Sequence, residues 1–174
     1  MSARGIRTAR PLSPALWLGW PMVLTVTATV LFAVPVRIFS LALPEPVFPL
    51  VLAFAWAVIR PSVLPPFALL MLGLFLDVYW GGPQGLWPAC LLVAYCAALA
   101  ARRLVTGQEF LVAWAWYGAT TALAFGAGFV IAMALAGDAP NIVAIGWQYL
   151  ATLLLFPAAN GLIQRYEDAD VRFR

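Results

Sequence analysis

Apolar residues fill this chain in long runs, and its polar positions are few and gathered into short breaks. Six segments read as membrane-spanning helices: residues 15–34, 38–59, 63–80, 86–101, 110–135 and 142–163. A helix needs about 20 mostly apolar residues to cross the roughly 30 Å hydrocarbon layer. Inside that layer its backbone groups must pair with one another. Pro21 interrupts the first segment. The second contains Glu45, Pro44, Pro46 and Pro49, and its uninterrupted part covers only residues 47–59. Prolines there should break or bend the helix, leaving either a kinked span or a short extracytoplasmic piece that carries Glu45 near the interface.

Composition agrees with the pattern. The chain of 174 residues is 64% hydrophobic and 10% charged, against about 25% charged in an ordinary soluble domain. The expected fold is therefore all-α: one polytopic membrane bundle over residues 1–174, with short tails at about 1–14 and 164–174. The basic residues near the start resemble a secretory signal. The first apolar run, however, is longer than the 7–15 residues of a typical signal core, and it reads as the first span.

All ten basic residues are arginine, and histidine is absent. With no histidine the commonest general base and metal ligand is missing, and with no lysine so is Schiff-base chemistry. Neither an enzymatic activity nor a cofactor is expected. The arginines instead report topology. With six crossings and a cytoplasmic amino terminus, Arg4, Arg7, Arg10, Arg60, Arg102, Arg103, Arg165, Arg172 and Arg174 lie inside and Arg37 alone lies outside. If the second segment dipped in and returned, seven arginines would lie outside and only three inside, against the positive-inside rule. Six spans with both termini cytoplasmic is the expectation. Cys90 and Cys96 are six residues apart on one helix, on different faces, and cannot bridge within it.

The densest chemistry lies in GLFLDVYWGGPQG, residues 73–85. Asp77 sits near the end of an apolar helix, and a five-residue turn, 81–85, follows almost at once. So short a connection makes the flanking helices antiparallel neighbours. A carboxylate in a membrane helix costs up to about 2.5–3.5 kcal/mol at the bilayer centre, so Asp77 should face protein, a cavity or the headgroups. It could bind a proton or cation, hold the turn, or dock another membrane protein; the second and third are favoured together. Tyr79, Trp80 and Trp87 flank the turn as interface anchors. The fifth segment carries two rows of small residues, Gly118–Ala122–Gly126 and Ala124–Gly128–Ala132–Ala136, which permit close helix approach. Gln148 and Asn160 can hydrogen-bond between helices.

The ordered set Gly73, Asp77, Gly81, Pro83 and Gly85, preceded by Trp56, Arg60 and Pro61, resembles the central motif of the rod shape-determining MreD family. Trp87 stands where that family often has histidine. The resemblance implies a non-enzymatic inner-membrane component of the machinery for sidewall peptidoglycan synthesis. It further implies association with an MreC-like protein and, through it, with MreB, RodA and a penicillin-binding transpeptidase. The competing reading is the substrate-binding membrane subunit of a small-solute transporter of the energy-coupling-factor kind. That reading needs Glu45, Asp77 and Gln148 to converge on one polar pocket.

Overall fold

The computed structural model describes residues 15–32, 37–38, 41–42, 45–136 and 140–171. Arg4, Arg7, Arg10, Pro44, Asp138, Arg172 and Arg174 lie outside the described residues. The described chain is a helical bundle. A π-turn, Ala15–Gly19, leads into α1 (Trp20–Phe32). Two short antiparallel strands follow, β1 (Arg37–Ile38) paired with β2 (Leu41–Ala42). Then come α2 (Phe48–Ile59), α3 (Leu64–Trp80), α4 (Leu86–Val105), α5 (Phe110–Ala136), α6 (Ile142–Leu153) and α7 (Phe156–Val171).

Among the described residues, three helical stretches are long and apolar enough to cross a membrane: Leu86–Val105, Phe110–Leu135 and the interrupted rod Ile142–Gln164. Trp17–Phe32, Phe48–Ile59 and Leu64–Trp80 are apolar but shorter. The second segment corrects the sequence expectation at its start. Arg37–Ile38 and Leu41–Ala42 are paired strands rather than helix, and α2 begins only at Phe48. Pro49 falls in its first turn, where a missing N–H costs nothing.

At 12 residues α2 is about 18 Å long, yet it is the centre of the bundle. Ten of its residues are buried, and it packs against α1, α3, α4, α5 and α7. A helix this short starts and stops inside the structure, so its end groups must find protein partners. The Val47 N–H donates to Thr152 Oγ1 at 3.1 Å. At the other end Arg102 Nε donates to the Val58 carbonyl at 2.8 Å, a cation at the negative end of the helix dipole. Phe54 packs edge-on against Tyr117 and Phe156, with centroids 5.4 and 6.4 Å away.

Two prolines explain the remaining irregularities. Pro21 cannot donate to the Trp17 carbonyl four residues back, and Pro157 cannot donate to that of Leu153. The first carbonyl accepts Trp56 Nε1 at 3.3 Å and the second accepts Trp114 Nε1 at 3.3 Å. Each carbonyl opposite a proline is thus taken by an indole from a neighbouring helix, as a low-dielectric setting requires. The sixth segment is consequently two helices separated at Leu154–Leu155 rather than the single rod expected over 142–163.

The small-residue rows separate. Ala124 is buried, and a Cβ on Gly128 would meet Cys90 Sγ at 2.9 Å, so the second row seats α5 on α4. In the first row Gly118 lies under Leu153 and Tyr149, while Gly126 has open space beside it.

Candidate functional site

The α3–α4 hairpin is built around Asp77. Leu69, Leu72 and Leu76 put a buried stripe on α3, and Leu91, Ala94 and Ala98 put one on α4. Gly73 lets the two backbones touch: a Cβ there would stand 2.5 Å from Pro88 Cα. Asp77 lies one turn further on, 3% exposed.

Asp77 closes both helices. Its carbonyl accepts the Gly81 and Gly82 N–H groups and ends α3. Its carboxylate accepts the Gly85 N–H at 2.6 Å and the Trp87 N–H at 2.9 Å and so starts α4. The first N–H groups of a helix have no partner within it, and here each is accounted for. The Leu86 N–H donates to the Pro83 carbonyl at 3.3 Å, Pro88 has none, and the Ala89 N–H returns to the Gly85 carbonyl at 3.2 Å. Gly85 occupies the N-cap position of α4 and has no side chain to cap it; Asp77 supplies that acceptor from the preceding helix. A carboxylate at a helix N-terminus also meets the positive end of the dipole.

The turn residues have separate roles. Gly81 at φ 65° and Gly85 at φ 91° occupy the left-handed region, which costs an L-residue roughly 1–2 kcal/mol. Pro83 opens the turn that Leu86 closes. Gly73, Asp77, Gly81, Pro83 and Gly85 therefore form one physical unit, a hairpin stapled at its mouth.

Glu45 joins this unit from the side. Its Oε2 accepts Trp80 Nε1 at 2.8 Å, tying the segment before α2 to the end of α3. The Trp80 and Trp87 rings lie 4.8 Å apart, and Trp87 meets Phe125 edge-on at 6.4 Å. Gln148 lies beyond Trp87, on the wall of a cavity of about 120 Å³ between α4, α5 and α6. The three polar residues thus do not line one pocket. The carboxylate of Asp77 is spent on backbone, Glu45 holds an indole, and Gln148 stands among apolar walls.

Trp56, Arg60 and Pro61 belong to the opposite end of α2. Trp56 is buried against Trp17, and the Arg60 guanidinium sits 5.9 Å from the Trp17 ring centroid. Pro61 is exposed in the α2–α3 connection. Trp56 and Arg60 hold Trp17, in the turn that leads into α1, and none of the three has a part in the hairpin mouth.

Sequence reasoning missed Thr152. Its hydroxyl accepts from the Val47 N–H and donates to the Gln148 carbonyl at 2.8 Å, while its own carbonyl accepts Tyr117 Oη at 3.1 Å. No local signal marked it, because Val47 and Tyr117, the groups it meets, are 105 and 35 residues away in the chain. No family model, curated protein or solved structure matches this chain.

Proposed function

We propose that this chain is a non-enzymatic adaptor of the bacterial inner membrane, an MreD-like member of the cell-elongation machinery. It would cross the membrane six times with both termini cytoplasmic. Its direct partner would be an MreC-like protein, linking it to MreB, RodA and a penicillin-binding transpeptidase. The observation that carries the reading is the Asp77 staple. An acid with both oxygens bonded to backbone N–H groups fixes a shape rather than receiving a ligand. A prebuilt hairpin suits a protein whose work is to be recognised by other helices, because little ordering entropy is lost on binding.

The distribution of charge supports the proposed topology. Arg60 and Arg102 lie at the carboxyl end of α2 together with Trp17, while Glu45 and the hairpin mouth lie at its amino end. The test is affinity capture of the tagged full chain from native membranes, with mass spectrometry of what co-purifies. Recovery of an MreC-like protein together with RodA and its transpeptidase is the expected result. Recovery of a transporter ATPase and its coupling subunit would replace the adaptor reading with the solute-binding one.

A further inference from the structure

Arg60 and Arg102 meet at the carboxyl end of α2, away from the hairpin mouth. Arg102 Nε donates to the Val58 carbonyl at 2.8 Å, which fixes the plane of its guanidinium. The Arg60 guanidinium lies over Trp17, 5.9 Å from the ring centroid. A guanidinium carries five N–H donors in a rigid fork. Arg102 spends one of them, and Arg60 spends none on a described residue. Of the carboxylates with described side chains, Asp77 and Glu45 hold groups at the other end of α2, and exposed Glu109 makes no ion pair with either arginine. Two cations held in place with donors to spare form a seat for an anion, and the guanidinium fork matches phosphate.

The surroundings decide what carries that phosphate. Arg60 reaches toward α1 through Trp17, and Arg102 comes from α4; α3 packs against both of those helices and starts at Leu64, just beyond Arg60. The face of α4 that carries Arg102 looks onto the α2–α3 connection. Tyr95, two turns earlier on that face, donates to the Ser62 carbonyl at 3.5 Å. From this connection an exposed apolar face runs along α3 through Val63, Phe67, Met71, Leu74 and Val78. It is about 22 Å long, more than the roughly 15 Å depth of one hydrocarbon leaflet. Cations at the head of an apolar strip match the two parts of a phospholipid, whereas a free phosphate uses the cations alone. A zwitterionic headgroup would bring its own ammonium against the guanidinium groups, and an acidic one does not.

We propose that the carboxyl end of α2 binds one acidic phospholipid, its phosphate held by Arg60 and Arg102 and its acyl chains along the exposed face of α3. In the proposed topology this end lies in the cytoplasmic leaflet, whose surface is negative. The inference does not depend on which protein the chain binds.

The test is native mass spectrometry of the purified full chain in detergent, titrated with phosphatidylglycerol or with phosphatidylcholine of the same acyl chains. One arginine beside an acidic lipid is worth about fivefold in affinity, so phosphatidylglycerol should bind at least about fivefold more tightly. Arg60→Gln and Arg102→Gln should each weaken phosphatidylglycerol about fivefold and leave phosphatidylcholine nearly unchanged. Arg60 is exposed, and glutamine at 102 still offers a donor to the Val58 carbonyl, so both variants should fold. Arg103→Gln removes the same charge from the next position, about 100° round α4, and should keep phosphatidylglycerol affinity within about twofold. Equal binding of the two lipids by the wild-type chain would overturn the proposal, as would full affinity in both glutamine variants. A loss in Arg103→Gln as large as in Arg60→Gln would also overturn it, because the attraction would then be diffuse charge. Millimolar glycerol 3-phosphate should leave the lipid bound; displacement would assign the seat to a free phosphate and overturn the lipid assignment.

Discussion

Replacing Asp77 with alanine should unfasten the hairpin by a calculable amount. The substitution removes the acceptor for two backbone N–H groups, 2.6 and 2.9 Å away, at a residue only 3% exposed. A buried N–H left without a partner costs about 1–3 kcal/mol, and the Trp87 N–H is the one that water reaches least. Gly85 is exposed, so its N–H can be rehydrated and adds about 1 kcal/mol or less. Loss of an anion at the α4 N-terminus adds about 0.3–1 kcal/mol. The total is about 1–5 kcal/mol. For a chain of this length each kcal/mol shifts Tm by about 2–4 °C, so Asp77→Ala should melt about 3–20 °C below wild type. Asp77→Asn keeps one acceptor but turns an NH₂ toward the second N–H, and should fall between the two. The assay is thermal unfolding in one detergent, followed by tryptophan fluorescence. A shift below about 2 °C for the alanine variant would refute the capping argument, because both bonds would then have to be energetically idle.

Other positions give independent checks by the same melt. Gly73→Ala drives a Cβ into Pro88 and should cost about 1–3 kcal/mol, as overpacking does; Gly126→Ala, with open space around it, should be close to neutral. Gly85→Ala should lose about 1–2 kcal/mol through its positive φ alone, with the carboxylate bonds intact. Thr152→Val strands the Val47 N–H and should cost about 1–3 kcal/mol, whereas Thr152→Ser should restore most of it. Trp114→Phe leaves the Leu153 carbonyl unpaired at the α6–α7 break and should raise amide exchange there while leaving the α3–α4 turn protected.

What the sequence disclosed was local. The Gly81–Gly85 turn, the antiparallel helices around it and the special position of Asp77 all follow from a few adjacent residues and the rules of turns. The identity of the groups Asp77 holds was not legible, because an N-cap ordinarily sits at the start of its own helix and here it comes from the preceding one. Glu45 was expected near the interface, but its bond to an indole 35 residues away was not legible. Thr152 was invisible for the same reason, with its α2 partner 105 residues distant. The proline effects were half visible: Pro21 and Pro157 announce freed carbonyls, but only the packed bundle shows Trp56 and Trp114 arriving to meet them. Gln148 was singled out as polar glue between helices, and the cavity whose wall it joins lies between α4, α5 and α6.

The most direct test of the central claim is capture of the MreC-like partner by wild-type and Asp77→Ala chains purified in parallel, with the amount recovered normalised to folded bait. If the stapled hairpin is what the partner reads, wild type recovers the partner and Asp77→Ala recovers severalfold less at a temperature where both remain folded. Equal recovery by a folded Asp77→Ala chain would contradict it, leaving the staple a matter of stability alone.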